Sequence, residues 1–112
     1  MKTFMALYMG SPGAQPGPGD LSEADIAKGM AAWGDWMARH AADVVDTGGP
    51  LGKTKKTAAG GVSDIRNAVA GYVVVRAETH ETAAKMFEGH PHFTIFPGDS
   101  VEIMEVLPIP GA

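Results

Sequence analysis

Three segments of this chain have the alternating pattern of β-strands but are apolar on both faces, and this constrains the fold more than any other feature. In residues 2–9 the side chains alternate between two apolar sets, Phe4, Ala6 and Tyr8 on one face and Met5, Leu7 and Met9 on the other. Residues 70–77 and 100–107 repeat the pattern. A sheet face that meets water is normally polar. We therefore expect both faces of this sheet to be covered.

Two helices are predicted between the strands. The first begins at an N-cap, Asp20 or Ser22, and runs to about Thr47, where Gly48 ends it. Its buried face is predicted to be a single apolar stripe formed by Ile26, Met30, Trp33, Met37, Ala41 and Val44. The second helix is short: Thr79 caps it, it reaches about Glu88, and Pro91 stops it.

Adding a polar strand at residues 50–59 gives the order β-α-β-β-α-β. This order predicts an α+β, ferredoxin-like fold, with an antiparallel sheet and two helices on one face. We treat residues 1–112 as one domain, with a flexible proline- and glycine-rich loop at 10–20. A second copy of the chain is the simplest cover for the other apolar face, so we predict a homodimer built sheet against sheet.

Composition excludes several classes of function. The net charge is −4, and the only basic cluster is Lys53, Lys55 and Lys56, so we expect no nucleic acid partner. We read that cluster as a solvated strand edge. Without cysteine there is neither a disulfide nor a Zn–Cys site. No membrane span or signal peptide is apparent, so we expect a cytoplasmic protein. The glycine pairs match no phosphate-binding motif, and we expect no cofactor.

Several short motifs, in order, resemble the YCII-related (DGPF-type) family of small dimeric α+β barrel proteins. They are Asp46-Thr-Gly-Gly-Pro-Leu, Val62-Ser-Asp, Gly71-Tyr-Val-Val-Val, Thr79 to Ala84, and Gly89-His-Pro-His followed by the last strand. The resemblance implies a dimeric barrel. Members are mostly uncharacterised, and some resemble enzymes. The better-studied branch is thought to use a His–Asp pair with the aspartate just before a Pro-Tyr. That His–Asp pair has no counterpart in this sequence. His90 stands before Pro91, where the family pattern has the aspartate, and the family's helix histidine would align nearer Met37 than His40.

His90 and His92 are the strongest candidates for catalysis. In an extended segment, residues two apart project to the same side, and neutral imidazoles are good general bases. The alternative is that His-Pro-His simply ends the helix, with His90 favoured near its C-terminus. Two histidines without a third ligand make a poor metal site, so we predict no metal.

Other candidates surround this pair. His40, with Trp36 and Asp43, can form one wall of a cleft, although a partly buried helix flank is the commoner role. Tyr8, Tyr72 and Glu102 are strand residues whose polar ends can face the barrel interior, but Glu102 can equally pair across strands. Asp64 and Arg66 can close over a ligand, or Asp64 can stabilise a turn.

Three functions stay open at this stage. The first is an enzyme in which His90 or His92 acts as acid or base on a small organic molecule and His40, Tyr72 or Glu102 orients it. The second is a non-catalytic module that binds a metabolite or a protein in the same pocket. The third is a structural dimer without a site.

Overall fold

The sheet has the topology that the sequence predicts. The computed structural model describes residues 1–11 and 21–111. In this part of the chain the strands are β1 (Lys2–Met9), β2 (Val44–Pro50), β3 (Thr54–Ala58), β4 (Gly61–Ile65), β5 (Val69–Ala77) and β6 (Ser100–Glu105). Four of them form an antiparallel sheet in the order β2-β5-β1-β6. The α+β, ferredoxin-like fold is confirmed. The proline- and glycine-rich loop lies outside the described residues apart from Gly10 and Ser11.

The long helix α1 (Glu23–Arg39) is shorter than predicted. The Ser22 side chain caps it by accepting a hydrogen bond from the backbone N–H of Asp25 at 3.1 Å. The helix does not continue to Thr47. A 3-10 turn at Ala41–Asp43 follows it, and β2 begins at Val44, which pairs with Val75 of β5. The sequence prediction followed helical periodicity, but β-branched valines gain more by joining a sheet edge.

The face that α1 buries also differs from the prediction. Trp36, expected on the flank, is its large core residue, with 1% of its surface exposed. The predicted stripe is only partly covered: Ile26, Trp33 and Met37 are half-buried, and Met30 is 60% exposed. An apolar stripe therefore runs along the outside of this helix.

Residues 50–59 do not form the second strand of the main sheet. Strand β3 pairs instead with β4, across a turn at Ala59 and Gly60, in a separate two-stranded hairpin. The Ser63-Asp64 segment, predicted as a turn, is part of β4. Apart from Thr54, the hairpin strands are exposed. The radius of gyration is 15.5 Å, against roughly 13 Å for a compact chain of this length, which fits a projecting hairpin.

Gly48 does not end the helix but lies within β2. It has a positive φ of 63°, a conformation that side chains other than glycine rarely adopt. A Cβ there would overlap the carbonyl oxygen of Tyr72 on the neighbouring strand. Glycine is thus required for the close approach of β2 to β5.

Two short helices precede the last strand. Helix α2 (His80–Lys85) is capped by Thr79, as predicted, through a hydrogen bond that Thr79 accepts from the backbone N–H of Thr82. Pro91 does not stop this helix. It is the first residue of a further helix, α3 (Pro91–Thr94), a position that suits its missing N–H. Strand β6 ends at Glu105, two residues earlier than predicted.

The two faces of β1 separate as the alternation predicts. The core lies under the helices and consists of Phe4, Ala6, Tyr8, Trp36, Val73, Val75, Ala77, Ala83 and Phe87. On the other face, which we call the open face, Met5, Leu7 and Val74 are half-buried and Met104 is 42% exposed. No described helix is long and apolar enough to cross a membrane. The cytoplasmic location stays a prediction.

Candidate functional site

Tyr8, near the end of the central strand β1, is the centre of an aromatic cluster beneath α1 and α3. It is 4% exposed. Its ring centroid lies 4.8 Å from that of Trp33, 5.1 Å from that of His90 and 5.3 Å from that of His92. Alternation in β1 aims Tyr8 at the helices. The cluster therefore joins the strand to both histidines.

His90 is locked into one protonation state by its neighbours. It is fully buried and is the N-cap of α3, where its Nδ1 accepts a hydrogen bond from the backbone N–H of His92 at 3.0 Å. A ring nitrogen that accepts a hydrogen bond carries no hydrogen, so the neutral ring holds its hydrogen on Nε2. This nitrogen lies 3.4 Å from the Tyr8 hydroxyl oxygen, to which it donates. The Tyr8 hydrogen is then free to donate elsewhere.

Burial keeps both members of this pair neutral. It lowers the pKa of His90 to about 3, and the positive charges of His92, His40 and Arg39 act in the same direction. Burial also raises the pKa of the Tyr8 hydroxyl, although a hydrogen bond from Trp33 opposes that change. At neutral pH Tyr8 is a hydrogen-bond donor, and His90 is an uncharged support beneath it.

His92 is oriented by the backbone. Its Nε2 lies 2.8 Å from the carbonyl oxygen of Met9, and a carbonyl only accepts, so Nε2 carries the hydrogen. In the neutral ring, Nδ1 is then the basic nitrogen, and it has no hydrogen-bond partner among the described residues. Gly98 makes this arrangement possible, because a Cβ there would overlap the His92 ring. The backbone N–H of Asp99 also donates to the Met9 carbonyl, at 2.9 Å.

Tyr8 and His92 open onto a broad cleft of about 2270 Å³. Its apolar wall is the exposed stripe of α1 together with Phe96, and its far side is the base of the β3–β4 hairpin. Pockets for small molecules usually have volumes of roughly 300–1,000 Å³. As built from the described residues, the cleft is wider than one small ligand requires.

The remaining helix candidates lie beside the cleft. The Trp36 indole N–H donates to the Met86 carbonyl at 2.9 Å. The His40 and His90 rings both contact Trp36, with centroids 4.6 and 5.0 Å away. Burial and the Arg39 charge lower the pKa of His40, whereas Asp43 opposes this. Neither His40 nor Trp36 lines the cleft.

The strand candidates are divided between the two faces of the sheet. Tyr72 lines the cleft, but it pairs with Leu7 and so belongs to the open face. Glu102 also pairs with Leu7 and is exposed on that face. The structure thus brings Tyr8, His90 and His92 together and leaves Glu102 apart from them.

Three residues of the cluster were not predicted to have a role at the site. Trp33 was assigned to the core as part of an apolar stripe, and nothing in that periodicity distinguished it from the other residues of the stripe. Phe96 and Gly98 lie in the loop after α3, and their contacts depend on a turn that no local pattern specifies. Within residues 1–11 and 21–111, no three His, Asp or Glu side chains converge as metal ligands.

The fold is shared with a known enzyme. The solved structure of 5-chloro-2-hydroxyhydroquinone dehydrochlorinase from Burkholderia phenoliruptrix AC1100, in complex with 2,5-dihydroxybenzoquinone, matches this chain with a TM-score of 0.55 and 16% sequence identity. The match covers 91% of this chain and 90% of that chain. No protein-family model and no curated protein matches the sequence. At this identity the likeness concerns the fold alone.

Proposed function

We propose that this chain is a YCII-related protein that binds a small, planar, oxygen-substituted ring in the cleft, where Tyr8 and His92 act as donor and base. The observation that carries the proposal is the chain of hydrogen bonds from the backbone N–H of His92 through the His90 ring to the Tyr8 hydroxyl. Together with the bond from His92 Nε2 to the Met9 carbonyl, it leaves one donor, the Tyr8 hydroxyl, and one acceptor, the His92 Nδ1, on two rings whose centroids lie 5.3 Å apart. The structural neighbour's quinone ligand supports this ligand class.

The chemistry that this arrangement supports is a proton transfer. His92 Nδ1 takes a proton from a ring hydroxyl or from a carbon next to a ring carbonyl, and the Tyr8 O–H donates a hydrogen bond to the oxygen on which negative charge develops. His90 and His40 do not reach the cleft. In this proposal His90 is a positioning residue for Tyr8, and His40 supports the same core through Trp36.

A homodimer is part of the proposal. The cleft has more volume than one small molecule fills, and the α1 stripe beside it is apolar and partly exposed. The open face of the sheet is apolar as well, and Val106 and Leu107 beyond β6 are 50% and 69% exposed. A second copy packed against this face would cover it.

Ligand binding is tested with hydroquinone and 2,5-dihydroxybenzoquinone, by calorimetry and by quenching of Trp33 fluorescence. We expect Tyr8→Phe and His92→Gln each to weaken binding by roughly fivefold, the equivalent of one hydrogen bond of about 1 kcal/mol. Loss of turnover in His92→Gln with the fold intact supports catalysis. Tyr8-dependent binding without turnover supports the non-catalytic module. Absence of binding to the unmodified protein refutes both.

The dimer is tested by sedimentation velocity at micromolar concentration. Val74→Glu places a charge in the centre of the open face, and we expect it to give a monomer because a buried unpaired charge is costly. Val62→Glu is the matched control, since Val62 is 68% exposed on the hairpin. A monomeric unmodified protein, or a Val74→Glu variant that stays dimeric, would contradict the sheet-to-sheet assembly.

A further inference from the structure

Positive charge is concentrated in the hairpin segment that faces the cleft. Residues 53–66 hold four of the nine basic residues and one of the thirteen acidic ones. Their net charge is therefore +3, whereas the rest of the chain carries −7. A segment that opposes the sign of the whole protein in this way is a candidate for recognising an anion.

The charges are further sorted between the two sides of the hairpin. Lys53, Lys55, Asp64 and Arg66 all line the cleft, whereas Lys56 does not. Lys55 and Asp64 are paired across the two strands and share one side of the hairpin, whereas the neighbouring Lys56 is on the other side. Lys55 and Asp64 neutralise each other through an ion pair of 2.7 Å. Lys53 and Arg66 remain, and neither has a carboxylate within 4.0 Å among the described residues.

These two cations occupy corresponding positions at the base of the hairpin. Lys53 directly precedes β3 and Arg66 directly follows β4, so they flank the last paired residues, Thr54 and Ile65. Like charges opposite each other on neighbouring strands are destabilising. An anion between them removes that repulsion, and the guanidinium fork of Arg66 suits a carboxylate.

We propose that Lys53 and Arg66 form an anion subsite of the cleft, and that the ligand is an aromatic acid whose carboxylate binds there. This rests on the proposed function, which supplies the ring-binding end at Tyr8 and His92. The neutral donor and acceptor hold the ring oxygens, and the cation pair holds the charged substituent. The cleft belongs to one chain and extends from Tyr8 to both cations.

The experiment compares two ligands that differ in one group, hydroquinone and 2,5-dihydroxybenzoate. We expect the unmodified protein to prefer the carboxylate by roughly tenfold or more, and the preference to shrink at high salt. Arg66→Gln should reduce this preference by roughly fivefold and Lys53→Gln by roughly twofold, without changing hydroquinone binding. Lys56→Gln, on the same hairpin but outside the cleft, should leave both affinities unchanged.

The outcomes separate this inference from the proposed function. Tyr8-dependent hydroquinone binding with no preference for the carboxylate overturns the subsite and leaves the proposed function standing. A preference that Lys56→Gln reduces as much as Arg66→Gln also overturns the subsite, because general attraction to the hairpin would then explain it. If neither ligand binds the unmodified protein, both proposals fail.

Discussion

The buried neutral His90 makes the stability of the protein depend on pH. Unfolded His90 takes up a proton near its ordinary pKa of 6.5, whereas in the folded protein it does so only near about 3. The buried neutral ring therefore stabilises the folded state fully above pH 6.5, and this contribution is lost as the pH falls towards 3. The loss is about 1.4 kcal/mol per pH unit, so the free energy of unfolding should fall by about 2 kcal/mol between pH 7.5 and pH 5.

Urea unfolding followed by tryptophan fluorescence measures this difference, at a fixed protein concentration because association also contributes to stability. A loss of about 2 kcal/mol should lower the urea midpoint by roughly 1 M. His90→Gln should remove most of the pH dependence, whereas His80→Gln, an exposed histidine on α2, should retain it.

The reasoning is refuted if His90→Gln shows the same pH dependence as the unmodified protein. If His90→Gln does not fold, NMR of the unmodified protein decides. The His90 ring resonances should not titrate between about pH 7.5 and pH 5, because the neutral ring is retained throughout this range. A His90 ring that titrates in this range would show that the imidazole is not buried neutral.

Two further substitutions test the supports of the site by the same unfolding assay. Gly98→Ala should lower the free energy of unfolding by about 1–3 kcal/mol, because the added Cβ overlaps the His92 ring. The matched control is Gly34→Ala, in α1 with no neighbour within 4 Å. It should instead raise the free energy of unfolding by up to about 1 kcal/mol. Equal effects of the two would contradict the close packing of Gly98. Thr79→Ala should cost about 1 kcal/mol through loss of the α2 cap, and an unchanged midpoint would show that this cap contributes nothing.

The strand faces were predictable because the side-chain period of a strand is fixed. The positions of Phe4 and Tyr8 in the core, and of Met5 and Leu7 on the open face, follow from alternation alone. The Ser22 and Thr79 caps were also predictable, since a capping side chain bonds a backbone group three residues away. Features that depend on short sequence separation were thus the ones read correctly.

The errors share a different cause. The end of α1 and the place of the second strand both depend on whether Val44 or residues 50–59 pair with β5, and that choice is made by contacts distant in sequence. Trp36 was assigned to the helix flank because its burial depends on Phe87, which belongs to another element. The periodicity of a single helix does not show which of its two apolar sides packs on the sheet, because that depends on the position of other elements.

His90 and His92 were predicted to lie side by side in an extended segment, whereas the structure brings them together at the start of a helix. An extended segment would have aimed both rings at one cavity. In α3 the N-cap position instead places His90 beneath Tyr8, and only His92 reaches the cleft. The two histidines therefore cannot share one role, since the buried ring has both nitrogens engaged while the other keeps one nitrogen available.

In the proposed function, this division would also orient the ligand in the cleft. At the Tyr8 end burial keeps the Tyr8 and His90 groups neutral, so a carboxylate would meet a hydrogen-bond donor but no cation there and would be desolvated. At the hairpin end Lys53 and Arg66 are exposed and charged, so a carboxylate keeps its hydration and gains two cations. An aromatic acid placed the other way round would lose the hydrogen bonds at one end and the ion pairs at the other. For the proposed aromatic acid, the separation of neutral and charged groups along the cleft would thus favour one orientation of the ring against His92.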